Sequence, residues 1–292
     1  METILCFDIG GTKTKYACIK ENTILFQAQQ NTYRGSKEGF FKFLSEIIDA
    51  VSKEYSFDKI SLSFPGFIDV TTGIAIFAGA LSELHGTNIK IELTKFLIKD
   101  YQIYIENDAN CAAMAEKLNG HATKNEDFVV VTVGTGIGGG IFVNGEILRG
   151  KQFRAGEFGM MLLAFSEYPN KVYSEFASTQ SLIRLYRELK HIPLTKEISG
   201  QDIFAEDDQD VQQVITSWVA YLACGIVNVV SVLNPEKVLI GGGISANPAL
   251  LPLLKEQLQH IHFWKDLAVP VETCFHYNNA GLLGAYYLAK AM

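Results

Sequence analysis

The stretch Cys6-Phe7-Asp8-Ile9-Gly10-Gly11-Thr12-Lys13-Thr14-Lys15 decides the fold. An apolar run over residues 3–9 reads as a strand, and its acidic residue is followed at once by two glycines, a threonine and a lysine. Such a turn can present backbone N–H groups and a hydroxyl to a phosphate oxygen. Asp8, just before it, could hold a magnesium ion through water. The plain alternative is a tight hairpin with no ligand, since short Gly-Gly turns are common.

Outward from that turn, residues 15–20 and 23–29 read as two further strands of a meander, with Asn22 in the polar break between them. Residues 39–54 carry apolar side chains at helical spacing, among them Phe40, Phe43, Leu44, Ile47, Ile48 and Val51. Strands follow over 60–64 and 103–106, and the alanine-rich run 108–116 reads as a helix with Gly120 as its stop. The pattern then recurs. A β-branched strand over 128–133 meets the glycine cluster 134–140, and Asn144-Gly145 joins 141–143 to 146–148 as a type I′ hairpin. A long apolar helix over 211–233 and a strand over 238–240 lead to Gly241-Gly242-Gly243, and 279–292 reads as a closing amphipathic helix. Strand, glycine turn and hairpin thus occur twice, which predicts an α/β protein of two lobes on a related βββαβα plan with a cleft between them. The expected lobes are 1–110 and 111–279, with helix 280–292 returning to the first.

Composition narrows the class. At 292 residues the chain exceeds the usual single-domain size, and 48% hydrophobic content with 7 prolines leaves material for two cores. A formal net charge of −7 argues against a nucleic-acid footprint. The five cysteines are scattered without a Cys-x-x-Cys pair, as expected of buried thiols in a reducing compartment. Asp8 interrupts the first hydrophobic run, so no signal peptide is expected. No uninterrupted apolar span approaches the ~20 residues of a membrane helix. The expectation is a soluble, cytoplasmic protein without nucleic-acid or membrane partners.

Two formal motifs fail on context. Gly134-x-Gly136-x-x-Gly139 matches the dinucleotide fingerprint but runs into a hairpin where a helix should open, which disfavours a nicotinamide oxidoreductase. Gly145 to Lys151 approaches a P-loop, yet Gln152 stands where Ser or Thr must bind magnesium. Glu106-Asn107-Asp108-Ala109-Asn110 has more to offer, because it joins a strand to a helix start. Either Asn107 or Asp108 merely caps that helix, or Asp108 accepts a hydroxyl proton while Asn107 orients the same substrate. Glu157, between two Gly-containing steps in Ala155-Gly156-Glu157-Phe158-Gly159, is either a solvated turn residue or an acceptor for a polyol hydroxyl. The six histidines show no metal-ligand spacing.

Together these segments resemble the ROK family of the actin-like ATPase superfamily. The resemblance rests on Asp8 to Lys13, Ser63-Phe64-Pro65-Gly66, Glu106 to Asn110, Val133 to Gly139, Ala155 to Gly159 and Ile240 to Gly243, which stand in the family order across nearly the whole chain. It implies a two-lobed, duplicated ribonuclease H-like fold and a sugar kinase using ATP and Mg2+. Gly10, Gly11, Thr12 and Lys13 would form the first phosphate turn, Gly134, Thr135 and Gly136 the second, and Gly241, Gly242 and Gly243 would approach the adenosine. Asp8 would hold magnesium through water. Asn107 and Glu157 would hold sugar hydroxyls, with Gly66 lining the sugar pocket and Asp108 as general base. The family also implies a homodimer. Repressor members carry a helix-turn-helix domain ahead of the first motif. Here that motif begins at residue 8, so a DNA-binding role is not expected.

Two departures bear on the substrate. Met160 stands where many family members place a histidine that reaches the sugar and ligates zinc, and residues 165–178 lack the cysteines of the zinc motif. No structural zinc is expected. Where the family carries another sugar-binding glutamate, Ser174-Glu175-Phe176 occurs, so either Glu175 replaces it or that contact is lost. An apolar, adaptable Met160 in place of histidine suits an aglycone. This resembles the β-glucoside kinases, which phosphorylate O6 of the non-reducing glucose. The alternatives are a hexokinase acting on glucose, mannose or N-acetylmannosamine, and a non-catalytic sugar-sensing protein on the same fold.

Overall fold

The computed structural model describes residues 2–291, which fall into two compact α/β units. The first unit runs to Asn119 and takes in Arg149–Arg154 and the chain from Asn279; the second comprises Gly120–Leu148 and Ala155–Asn278.

In the first unit β1 (Ile4–Ile9), β2 (Lys13–Lys20) and β3 (Thr23–Asn31) form an antiparallel meander. The β2–β3 turn falls at Glu21 and Asn22, both at positive φ (51° and 63°), the geometry of a tight hairpin. Helix α1 (Lys37–Ser52) starts where the Ser36 hydroxyl accepts the Gly39 N–H, and it buries Phe40, Phe41, Leu44, Ile47, Ile48 and Val51. Strand β4 (Lys59–Phe64) then pairs parallel to β1. A three-stranded antiparallel insert follows, β5 (Phe67–Asp69), β6 (Ile74–Phe77) and β7 (Thr87–Asn88), and leads into α2 (Ile89–Thr94). Strand β8 (Gln102–Asn107) pairs parallel to β4 and runs straight into α3 (Asp108–Asn119). The sheet order is β3-β2-β1-β4-β8. Helix α3 belongs whole to this unit, so the chain leaves it after Asn119 rather than within the helix at 110–111.

The second unit repeats the order. Strands β9 (Phe128–Val133), β10 (Ile137–Val143) and β11 (Glu146–Ile147) form the meander, with Asn144 and Gly145 both at positive φ between the last two. Gly138, Gly139 and Gly140 lie inside β10, paired to Thr132, Val131 and Val130, so only the first part of the glycine cluster is turn. Helices α4 (Tyr173–Ala177), α5 (Thr179–Lys190) and α6 (Gly200–Phe204) precede the long α7 (Gln209–Leu233). Strand β12 (Lys237–Gly241), helices α8 (Leu250–Gln259) and α9 (Trp264–Leu267), and β13 (Val271–Thr273) complete it, in the sheet order β11-β10-β9-β12-β13.

By length and composition α7 passes the test for a membrane span, which a search for uninterrupted apolar runs overlooks because its breaks are uncharged. In the fold it is a core helix. Val211, Ile215, Trp218, Leu222, Ile226 and Val230 are buried, and the Trp218 indole N–H donates to the Ser178 carbonyl at 2.8 Å. The closing helix α10 (Ala280–Lys290) corrects an expectation of amphipathicity. It is buried almost all round, from Leu282 to Ala289, because α3 covers it on one side and β1 and β4 on another. At its crossing with α3 a Cβ on Gly284 would stand 1.9 Å from the Cys111 carbonyl oxygen, so only glycine allows this approach. Cys6, Cys18, Cys111 and Cys274 are buried and Cys224 is half-buried.

Candidate active site

In the first unit the expected residues gather at the C-terminal ends of the parallel strands, where open α/β sheets place their sites. Asp8 lies on β1 one residue before its end; its Oδ1 accepts the Ser63 hydroxyl at 3.1 Å and its Oδ2 pairs with the Lys15 ammonium at 3.3 Å. The turn beyond it is closed by the Gly10 N–H donating to the Lys13 carbonyl at 2.9 Å, and the Thr32 hydroxyl donates to the Gly10 carbonyl at 2.7 Å. Thr12 and Lys13 are exposed, and the Lys13 ammonium donates to Asn31 Oδ1 at 2.6 Å.

Asn107 is the N-cap of α3. Its Oδ1 accepts the N–H groups of Ala109 (2.9 Å) and Asn110 (3.0 Å), two donors the helix itself leaves unused. Its Nδ2 donates to the Gly66 carbonyl at 2.8 Å and to Asp108 Oδ1 at 3.1 Å. Gly66 can accept there because its backbone takes φ +95°, and a Cβ would lie 2.0 Å from the Phe77 carbonyl oxygen. The cap therefore orients a second carboxylate and does not consume it. Asp108 Oδ1 also accepts the Ala109 N–H at 2.8 Å. Asp108 is exposed, with the Asn107 amide and the Ala109 N–H both set against its Oδ1. Desolvation first, then the nearby Asp8 charge, push its pKa up to about 6, while the hydrogen bonds from Ala109, Asp108 and Asn107 hold it partly down. A carboxyl so placed can take a proton near neutral pH.

Two groups that sequence reasoning left without a role stand beside this corner. Glu106 is 1% exposed; its Oε1 accepts the Asn107 N–H and the Asn110 amide at 3.0 Å each, and its Oε2 accepts Arg149 Nε at 2.8 Å and Nη2 at 2.7 Å. The signal for Glu106 was an acid closing an otherwise apolar strand. Its partner 43 residues further on gives no local signal.

In the second unit the Gly134 N–H donates to the Gly136 carbonyl at 2.9 Å, and the Ile137 N–H just beyond the turn donates to the Ser174 hydroxyl at 2.9 Å. Gly241 ends β12, and Gly242, at φ +85°, turns the chain into the short helical turn Gly243–Ala246. Gly134, Thr135 and Gly243 line one cavity of about 340 Å³, with Gln180, Ile183 and Ile244 among its walls. Polar and apolar walls beside a glycine turn suit a nucleoside and its phosphates. Glu157 is half-buried before the turn Phe158–Met160, and the Met160 side chain is 59% exposed. Glu175 is on α4 and reaches back, its Oε2 accepting the Val172 N–H at 2.9 Å.

Strand order, duplicated sheets and paired glycine turns define the actin-like ATPase fold. Residues 4–292 match the model of the ROK family, and the chain belongs to that family. It is a carbohydrate kinase. It is 36% identical to a β-glucoside kinase of Listeria monocytogenes, over 97% of this chain and 96% of that one. It is 31% identical to a β-glucoside kinase of Klebsiella pneumoniae, over 97% and 95%. Among solved structures it is similar to a Listeria monocytogenes protein described as a putative N-acetylmannosamine kinase, at 34% identity and a TM-score of 0.87, covering 99% of both chains.

Proposed function

We propose that the chain transfers the γ-phosphate of ATP to O6 of the non-reducing glucose of a β-glucoside, with Asp108 as general base. The observation that carries the chemistry is the Asp108 carboxyl, oriented by Asn107 and with its pKa pushed up to about 6. The substrate class is supported by the two β-glucoside kinases at 36% and 31% identity. Asp108 takes the proton as the sugar oxygen attacks phosphorus. The O–H bond breaks, the new O–P bond forms, and the bond to the ADP oxygen is lost. Phosphoryl transfer asks mainly for positioning and charge neutralisation. On this reading Gly10 to Lys13 and Gly134 to Gly136 hold phosphates, and Gly241 to Gly243 approach the adenosine. Asn107, Gly66 and Glu157 serve the sugar, Asn107 by exchanging one of its Nδ2 bonds to Gly66 or Asp108 for a sugar hydroxyl. Glu175 has Oε1 to offer, since Oε2 is taken by Val172. Met160 is the aglycone surface.

Asp8 fits a magnesium ion held through water: its charge adds to that of Asp108, and a cation relieves the repulsion that raises the Asp108 pKa. When bound, the ion supplies charge neutralisation on the phosphates. From the family resemblance we carry a homodimeric assembly, which sedimentation velocity tests. A second reading, N-acetylmannosamine as acceptor, is favoured by the description of the 34% identical Listeria structure. Phosphorus and carbon NMR of the product formed from gentiobiose discriminates. Phosphate on C6 of the non-reducing ring supports the proposal, and turnover of N-acetylmannosamine with none of gentiobiose replaces it by the second reading.

A further inference from the structure

The chain of the second unit is interrupted by six residues, Arg149–Arg154, that belong to the first. This strap is anchored at both ends beside Asn107. Arg149 grips Glu106, the residue before Asn107, and the Arg154 guanidinium lies 5.2 Å from the ring centroid of Phe67, the residue after the Gly66 that Asn107 holds. Between the anchors Gly150, Gln152 and Phe153 all take positive φ, at 66°, 63° and 57°. Two adjacent side-chain-bearing residues in the left-handed region are unfavourable, so the surroundings impose this path.

Glu106 is buried at the very point where β8 becomes α3. A buried carboxylate is costly unless it is paired and hydrogen-bonded, and an apolar side chain would serve stability as well. Here both oxygens are occupied, and each partner is a piece of the acceptor corner. They are the Asn107 backbone, the first-turn residue Asn110 and the strap through Arg149. Two guanidinium nitrogens converge on one carboxylate oxygen, a geometry that an ammonium cannot reproduce. We propose that Arg149, acting through Glu106, is a positioning residue that fixes the Asn107–Asp108 corner for the sugar hydroxyl. This rests on Asp108 as the base. Arg149 itself touches no reacting atom; it sets the angle at which strand and helix meet, and with it the direction of both acceptor side chains.

The test measures kcat and KM for both substrates, normalised to folded protein, in Arg149→Lys, Arg149→Met and the pair Glu106→Gln/Arg149→Met, with Asp108→Asn in the same series. The expected order in kcat/KM for the sugar is wild type, then Arg149→Lys about tenfold lower, then Arg149→Met about a hundredfold lower, with KM for ATP within about twofold throughout. The double variant should recover the melting temperature lost in Arg149→Met, because no unpaired charge remains buried, without recovering wild-type kcat/KM. Wild-type kcat/KM for the sugar in Arg149→Lys and Arg149→Met overturns the proposal, as does a rise in KM for ATP that matches the loss. If Arg149→Met does not fold, Arg149→Lys decides by itself, and a wild-type value there is equally fatal. Asp108→Asn separates the two readings. Full turnover in that variant removes the base, whereas an inactive Asp108→Asn beside unaffected Arg149 variants removes only the positioning role.

Discussion

The pH dependence of sugar turnover follows from the surroundings of one carboxyl. Asp108 must be ionised to accept a proton, and its folded pKa is about 6 against an ordinary 3.8. The sign is that of an acid held protonated by its site, so kcat/KM for the sugar falls with decreasing pH, through about 6 for the metal-free surroundings and below that by the share of the Asp8 repulsion that bound magnesium relieves. With the pKa at about 6, roughly one Asp108 in eleven is ionised at pH 5, so the loss from the plateau reaches at most about tenfold, whereas an ordinary aspartate would lose less than about a tenth. Desolvation is the larger cause and the Asp8 charge the second, so Asp8→Asn should move the acid limb downward only in part. On the proposed magnesium role of Asp8 the plateau in that variant also falls, but the limb position is read independently of plateau height. The assay couples ADP release to absorbance between pH 4.5 and 8.5 with sugar well below KM. Titration of ATP itself is controlled by Asp108→Asn, whose residual rate should show no limb near 6. A limb near pH 4 in the wild type, or the same limb in Asp108→Asn, would refute the reasoning.

Two backbone predictions follow from close approaches. Gly66→Ala places a methyl group against the Phe77 carbonyl at φ +95°, and should raise KM for the sugar at least tenfold while leaving KM for ATP unchanged. Initial-rate kinetics with each substrate varied in turn checks it. Gly284→Ala drives a methyl group into the Cys111 backbone at the α3–α10 crossing, and should destabilise the first unit by about 1–3 kcal/mol, read as a lower denaturation midpoint in urea.

How much of this was legible in sequence depended on whether the deciding contact was local. Asn144-Gly145 announced its hairpin because the turn needs two positive φ angles, and both are there. A cap at Asn107 or Asp108 was legible because a helix N-terminus has orphan donors within three residues of it, and the structure gives that place to Asn107. The insert β5–β7 gave no such signal, since strands of two to four residues are too short to show a period. Helix α10 misled for a different reason: its polarity pattern is weak because α3 and the sheet cover it from several sides, so no stripe marks a solvent face. The strap was invisible because Arg149 and Glu106 meet across 43 residues and Gln152 and Phe153 adopt backbone angles their side chains do not favour.

The most direct test of the central claim is ATP turnover on cellobiose and gentiobiose beside glucose and N-acetylmannosamine, in wild type and Asp108→Asn. Higher kcat/KM for the disaccharides, reduced by about a hundredfold or more in Asp108→Asn, is the predicted result. Disaccharide turnover that survives Asp108→Asn, or turnover confined to the monosaccharides, would contradict it.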